Sequence, residues 1–531
     1  MRLYILNMNI NSKGEIKMLT KMKNAWAVIT GKAEIAENTT LLSDVIENLD
    51  EYLEYIGDFD SLVTDTDSYK ASHFLQYPAG TEYVSSYIES RGGKFNDAVF
   101  FGLQAYIKEY LSKPITKAQI DAAELMFQEH GIPFNREGWD YILKEYKGYL
   151  PVEIKALEEG TVVPVKNAMV QIRNTDPKCP WLTSYLETAL LRAVWYPTTV
   201  ATQSREIKKT IAYYLDKTAD TMEKLPFMLH DFGARGASSK ETAKLGGMAH
   251  LVNFQGTDTL TGIFGAMKYY ACKMAGFSIP AAEHSTMTSW GKDNEARAYK
   301  NMLKQFDAPG ALVAVVSDSY DYFNAIENIW GDQLKEDVLA MEGSLVIRPD
   351  SGDPLEIIEK TLPILEEKFG ARVNGKGYKV LNDKVRLIQG DGVDQEKIGQ
   401  ILEMMERNGY SAENIAFGMG GALLQRIDRD TMKFAMKASA RQEDGIWYDV
   451  FKDPKTDPGK QSKRGVLSVV YNEFTGFETV RRDNLQGRKD YLRTVFYNKA
   501  RPEAVTKFDD VRARANVRVE EYKPYQKLKA A

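Results

Sequence analysis

Short apolar runs separated by amphipathic stretches dominate the middle of the chain. They fall at residues 227–229, 251–254, 277–279, 311–316, 345–347, 385–388 and 415–417, each about one strand-plus-helix unit from the next. The stretches between them carry helical spacing, as at Ile398, Ile401, Leu402 and Met405, which follow i, i+3, i+4, i+7. Strands alternating with helices predict a parallel sheet, and seven consecutive units predict a closed or nearly closed barrel. No eighth strand is identified. Upstream, Val152, Ile154, Val162, Val163, Val165, Met169, Val170 and Ile172, punctuated by Gly160 and Pro164, predict short antiparallel strands. Two helices follow at 183–195 and 199–215, with Pro197 marking a break. Beyond Lys433 the chain turns β-rich and basic, as at 446–452, and is expected to fold back on the N-terminal strands. The predicted class is therefore α/β: a parallel β/α barrel over 183–431 and a β-rich layer from 61–182 and 432–531. Residues 1–60 form an extension of unread role, with amphipathic helical spacing at 41–55.

Composition narrows the class without changing the pattern. With 531 residues and 44% hydrophobic content the chain can bury a sizeable core. A formal net charge of −5, with both signs dispersed, predicts neither a nucleic-acid nor a membrane surface, so an anionic ligand needs a local pocket. The longest apolar stretch, 311–316, is far short of the roughly 20 residues of a membrane span. The first residues have too short an apolar core for a signal peptide, and Lys13, Lys17, Lys21 and Lys23 soon follow. Two unpaired cysteines, Cys179 and Cys272, argue against a disulfide framework, and a reducing, cytoplasmic setting is expected.

Polar clusters stand directly after the apolar runs, where a barrel gathers its chemistry at one mouth. They include His230-Asp231-Phe232-Gly233, Gly256-Thr257-Asp258, Glu283-His284-Ser285-Thr286, Ser317-Asp318-Ser319-Tyr320-Asp321, Arg348-Pro349-Asp350-Ser351-Gly352, Gly390-Asp391-Gly392 and Gly418-Met419-Gly420-Gly421. Glycines 418, 420 and 421 let backbone N–H groups approach an anion without Cβ obstruction, which predicts a phosphate cradle. Arg348 and Asp350, two apart on an extended segment, share a face and suit a phosphate and a sugar diol. Gly390-Asp391 offers a second close-approach glycine with a carboxylate. Of the five histidines, His284 is placed to act as acid, base or nucleophile. The kinase-like reading of His-Asp-Phe-Gly fails, because the glycine-rich loop, the strand lysine and the His-Arg-Asp loop are all missing.

Together these strings resemble the nicotinamide phosphoribosyltransferases of the type II phosphoribosyltransferase family. The resemblance runs from Thr66-Asp67-Ser68-Tyr69-Lys70 to about Arg464 and rests on 229–233, 253–259, 280–286, 316–321 and 347–352. It implies an irregular α/β barrel with an added β-rich layer, in a homodimer whose active sites lie between subunits. It also implies transfer of phosphoribose from 5-phosphoribosyl-1-pyrophosphate to nicotinamide, with Mg²⁺ and with ATP as an activating co-substrate. By the resemblance His284 is phosphorylated by ATP, Asp321 supports it or Mg²⁺, and Arg348 and Asp350 bind ribose and phosphate. Mg²⁺ is expected near Asp321 or Asp350. Gly390, Asp391, Gly420 and Gly421 match the mononucleotide loops, and Ser317 stands among the substrate contacts. Phe232 stacks on the base, Arg235 contacts base and pyrophosphate, and Asp258 accepts from the carboxamide. Tyr69, Arg429, Lys437 and Lys452 reach across from the partner chain. Ala234 stands where an aromatic residue is frequent, which leaves room beside the base. Three other readings remain: a nicotinate-specific enzyme, one using pyrophosphorylated ADP-ribose, and a binding protein without catalysis. Asp258 disfavours nicotinate, since two carboxylates about 4 Å apart repel by about 4 kcal/mol at an effective dielectric of about 20.

Overall fold

The computed structural model describes residues 61–456, 461–500 and 505–524; the extension and its amphipathic stretch at 41–55 lie outside them. Among the described residues, strands β1 (Tyr83–Ser90), β2 (Val152–Ala156) and β3 (Ala168–Asn174) precede helix α1 (Glu187–Thr218). The central section runs β4 (Leu229–Asp231), α2 (Lys240–His250), β5 (Gly256–Thr257), α3 (Leu260–Tyr270), β6 (Leu312–Val316), β7 (Ser344–Arg348), α4 (Pro354–Phe369), β8 (Val385–Gln389), α5 (Gln395–Arg407) and β9 (Ile415–Met419). The chain then returns through β10 (Phe434–Glu443), β11 (Ile446–Asp449), β12 (Arg493–Tyr497) and helix α6 (Phe508–Ala515).

Six central strands pair in parallel in the order β5-β4-β9-β8-β7-β6. The segment 277–281 closes the ring between β5 and β6. Thr257 N donates to Phe277 O (3.0 Å) and Phe277 N to Gln255 O (2.7 Å) on one side, while Ala314 N donates to Pro280 O (2.9 Å) on the other. Side chains alternate across this wall, as strand geometry requires. Ala314, Val346 and Ile388 face inward with Ile279, Ala416 and Phe232, whereas Val313, Val315, Leu345, Ile347, Leu387 and Phe417 face outward into the helices. The first two strands start later than the apolar runs suggest. Residues 225–227 form a short 3₁₀ turn, and Leu251, Val252 and Phe254 pack in the core below strand β5.

The second sheet is antiparallel, in the order β11-β10-β1-β3-β2-β12, so the C-terminal strands do return to the N-terminal ones. Of the segment 432–531, the helix α6 packs on the barrel instead, burying Phe508, Val511 and Ala515 there. Pro197 does not divide α1, which is continuous through it. The missing donor at that position is offset by tertiary contacts. Phe101 N donates to Thr198 Oγ1 (3.2 Å) and Val99 N to Thr202 Oγ1 (2.9 Å), and the Pro197 ring lies so close to Gly102 that a Cβ there would sit 2.3 Å from Cγ.

Candidate active site

The inward alternation carries past the strand ends and sets the mouth. On β7, Val346 faces in, so Arg348 and Asp350 follow on the same face; their nearest atoms, Nη2 and Oδ2, are 3.6 Å apart. On β6, Ala314 faces in and so Asp318 follows. His284 opens a short helix, His284–Thr288, whose entry is fixed by reciprocal bonds between Glu283 and Thr286. Its Nε2 lies 3.4 Å from Asp350 Oδ2 and 3.7 Å from Asp318 Oδ1, and its Nδ1 lies 3.0 Å from Ser319 Oγ. Asp318 is nearly inaccessible and ties the next loop down: its Oδ2 accepts from Asp350 N at 3.0 Å and from the Ser351 hydroxyl. Its Oδ1 and the Arg348 Nε are buried without hydrogen-bond partners. A histidine, two carboxylates and a guanidinium therefore meet at one point.

Phe232 forms the roof of the barrel interior. Its N donates to Met419 O (3.0 Å), and its ring lies over two neighbouring strand ends. A Cβ at Gly418 would come within 2.0 Å of the ring and one at Gly390 within 3.1 Å, so glycine at 418 is a condition for the ring's position. Gly421, by contrast, has nothing within 4 Å of a would-be Cβ, and Gly420 meets only the Phe232 carbonyl at 3.9 Å; the cradle is open space. The loops after β7 and β8 turn at Gly352 (φ 87°) and Gly392 (φ 63°), left-handed values that favour glycine. Asp391 O accepts from Gln389 Nε2 (2.9 Å), leaving the Asp391 carboxylate exposed.

Asp258 stands exposed at the end of β5. Its N donates to Asp231 O (3.0 Å) and its carboxylate accepts from the Ser278 hydroxyl, which sets it one strand away from Phe232. Asp231 faces outward behind this wall. Its Oδ1 accepts from Gly233 N (2.7 Å), its Oδ2 is buried without a partner, and burial pushes the carboxyl up to about 6. Arg235 and Ala234 lie exposed on the 3₁₀ turn beyond Phe232.

Two predicted residues have other placements. Ser317 has the opposite parity to Asp318 and is fully buried: its hydroxyl donates to Val315 O (3.0 Å) and accepts from Trp330 Nε1 (3.1 Å). Asp321 caps the short helix Tyr322–Asn324 through a bond from Asn324 N (3.0 Å), and the carboxylate facing His284 is Asp318. Asp318 stood inside a string already singled out; counting in twos from Ala314 would have picked it over both neighbours.

The remaining predicted residues lie on the antiparallel layer. Tyr69 is 56% exposed on the helix Ser68–Leu75 and packs edge-on to His73 at 5.1 Å. Next to it, Lys70 Nζ pairs with Glu187 at 2.6 Å, and Lys437 Nζ lies 3.9 Å from the same carboxylate. Burial lowers the Lys437 ammonium, with Arg91, Lys70 and Arg429 adding to the effect against Glu187. Arg429 sits exposed on the turn Arg429–Thr431, and Lys452 is exposed beyond β11. Lys70 and Lys437 thus meet at Glu187 with the Tyr69 ring beside them.

A parallel barrel whose mouth joins a histidine, carboxylates, an arginine and open glycine loops defines an enzyme that holds a phosphorylated sugar. A family model described as the nicotinate phosphoribosyltransferase (NAPRTase) family matches residues 227–500, and one described as the nicotinamide phosphoribosyltransferase N-terminal domain matches 61–154. The chain belongs to the nicotinate phosphoribosyltransferase family, and it is a phosphoribosyltransferase. A Xanthomonas campestris protein named nicotinamide phosphoribosyltransferase is 56% identical over 418 residues, 78% of this chain and 89% of that relative. An Acinetobacter baylyi protein of the same name is 35% identical over 474 residues, 81% of this chain and 92% of its own. Among solved structures, a nicotinate-nucleotide pyrophosphorylase from Pyrococcus furiosus aligns with a TM-score of 0.56 at 17% identity, covering 86% of this chain and 95% of its own. Human nicotinic acid phosphoribosyltransferase aligns at 0.50 and 16%, covering 86% and 94%. These two show a shared fold.

Proposed function

We propose that the chain transfers the 5-phosphoribosyl group of 5-phosphoribosyl-1-pyrophosphate to nicotinamide, giving nicotinamide mononucleotide and pyrophosphate in the recycling of nicotinamide to NAD. The observation that carries this reading is the placement of the Asp258 carboxylate one strand from Phe232, within the mouth that holds Arg348 and Asp350. A carboxylate there accepts from a carboxamide and repels a pyridine carboxylate, and the named relatives point the same way.

In this reaction the bond from C1 to the pyrophosphate oxygen breaks with its electron pair on oxygen. The pyridine nitrogen lone pair forms the new bond to C1, and no proton moves at that nitrogen. Catalysis is then positioning and charge stabilisation. Asp350 accepts from ribose hydroxyls, Arg348 bonds the phosphates, and the glycine loops at 390–392 and 418–421, open at Gly420 and Gly421, receive the 5′-phosphate. Phe232 contributes one stacking face, about 0.5–1.5 kcal/mol beyond burial. Mg²⁺ suits this site as a passenger of the substrate's phosphates, because it binds through one or two carboxylates plus phosphate oxygens. The unpartnered Asp318 Oδ1 beside Asp350 fits that demand, while Asp321 is engaged in capping. Bound there, the ion would neutralise departing pyrophosphate.

His284, with two carboxylates at Nε2, is the phosphoryl acceptor from ATP in this reading, coupling ATP hydrolysis to the main reaction. Tyr69, Arg429, Lys437 and Lys452 complete the site of a second copy in a homodimer; the meeting of Lys70 and Lys437 at Glu187 beside an exposed Tyr69 supports this. A cytoplasmic setting accords with the free cysteines, and among the described residues no helix is long and apolar enough to cross a membrane.

The test is incubation of the full chain with Mg²⁺, either phosphoribosyl pyrophosphate or pyrophosphorylated ADP-ribose, and either nicotinamide or nicotinate, with product masses read by mass spectrometry. Nicotinamide mononucleotide is expected. Product from nicotinate alone would overturn the reading, and product only with pyrophosphorylated ADP-ribose would change the donor.

A further inference from the structure

His250 lies at the C-terminal end of α2, behind the barrel wall, and is wholly buried. Its Nε2 is 3.3 Å from Gly256 O, its Nδ1 is 3.0 Å from Ser204 Oγ on α1, and its ring stacks on Phe254 at 5.4 Å. A carbonyl only accepts, so Nε2 carries the proton and Nδ1 accepts from the Ser204 hydroxyl. Burial depresses the imidazole to about 3, so the ring is neutral at physiological pH and this tautomer persists. The contacted strand, β5, is two residues long and continues directly into Asp258. Its backbone is also held from both sides in the wall: it pairs in parallel with β4, Thr257 N and Gln255 O bond Phe277, and the Asp258 and Thr259 amides reach Asp231 O and Thr257 Oγ1. On the inner side His230 leaves no room, since a Cβ on Gly256 would lie 2.5 Å from its Nδ1.

We propose that His250 is a positioning residue for recognition of the pyridine substrate: through its Nε2–H bond to the Gly256 carbonyl it fixes the short strand that presents Asp258. The inference rests on the reading of Asp258 given above. The link runs from the longest helix, through Ser204 and the imidazole, into the shortest strand of the barrel. The imidazole adds a restraint from the helix side to a peptide that the β4 ladder holds from within the wall, and so narrows the directions in which Asp258 leaves it.

Three variants test this in the full chain, with thermal melts checking the fold. His250→Phe keeps the ring's shape and removes both bonds. His250→Gln restores a donor at the Nε2 position. Ser204→Ala keeps the imidazole and removes the partner of Nδ1. For His250→Phe, the KM for nicotinamide should rise about tenfold and the preference over nicotinate fall by a similar factor, with the KM for phosphoribosyl pyrophosphate within about twofold of wild type. His250→Gln should recover most of the loss, and Ser204→Ala should shift the same two quantities less. Equal changes in both KM values, an unchanged preference, or no recovery with glutamine would overturn the proposal. If His250→Phe fails to fold, an unchanged base KM in Ser204→Ala overturns it. A wild-type protein that does not use nicotinamide refutes the function instead, so the two failures are separable.

Discussion

The barrel and the antiparallel layer leave different kinds of polar atoms unsatisfied. In the layer, among the described residues, the buried side-chain atoms without partners include the hydroxyls of Ser85, Ser112, Tyr106 and Ser468 and the indole N–H groups of Trp139 and Trp181; Arg91 is the charged exception. In the barrel they include Asp231 Oδ2, Asp318 Oδ1, Arg348 Nε and Gln389 Oε1. A neutral orphan costs about 1–3 kcal/mol and a charged one more, so the barrel keeps the more expensive set. Two of these, Asp318 and Arg348, sit at the mouth, where a ligand could satisfy them. The layer, meanwhile, occupies its cations with its own carboxylates, as in Lys70–Glu187 and Lys463–Glu89. The difference locates stored binding capacity in the barrel and leaves the layer as a supplier of stacking and charge.

The strongest way to break this contrast is at Asp350. Asp350→Ala should lower kcat/KM by about a thousandfold, near 4 kcal/mol, with little change in melting temperature; an active variant would remove the mouth from catalysis. Tyr69→Ala should also be impaired, and mixing the two variants under subunit exchange should return about a quarter of wild-type activity, because half the dimers then hold one intact site of two. No return, with heterodimers verified by differential tags, would confine the site to one chain. Next in size, Asp258→Asn should narrow the preference for nicotinamide over nicotinate by about thirtyfold, about 2 kcal/mol, half of the bare pair repulsion because Asp258 is exposed and its charge is screened by solvent. Competition assays with both bases read this directly.

His284→Ala should abolish stimulation by ATP while keeping a basal rate within about tenfold of wild type; full stimulation would exclude His284 as the phosphoryl acceptor. The smallest effect on catalysis is expected behind the wall. Burial raises the folded-state carboxyl of Asp231 from 3.8 to about 6, so the folded protein holds this proton more tightly than the unfolded chain. Stability therefore falls as pH rises between these values, and the penalty is complete above about 6. Asp231→Asn should be more stable by up to about 3 kcal/mol at neutral pH and nearly unchanged near pH 4. Denaturant melts at both values would show a flat difference if the carboxyl were not strained.

Much of this arrangement is legible in the chain itself. The apolar runs at 311–316, 345–347, 385–388 and 415–417 mark true strands because hydrophobicity and strand coincide where a wall is buried on both faces. They fail at β5, which is Gly-Thr and held by neighbours rather than by its own apolar content. Pro197 misleads for a related reason: the groups that sustain the helix past it come from residues 99–102, nearly a hundred positions away. At the site, the place of Arg348, Asp350 and His284 after strands is legible in the sequence, and the structure brings the three together at the mouth. Ser317 and Asp321 lie away from that meeting point, because composition alone does not say which neighbour in a polar string faces the lumen.

Helix α1 has a consequence for how the molecule moves. Its first turns, from Ala189 to Val194, belong to the core under the antiparallel sheet, and from Tyr196 onward it belongs to the core around the barrel. At 32 residues it is a rod about 48 Å long with one end set in each half. Such a rod resists hinge bending between the halves, so domain closure in the manner of a clamshell is denied to a single chain. Access of substrates must then be gated by the short loops at the rim, and the two halves should melt in one transition rather than two.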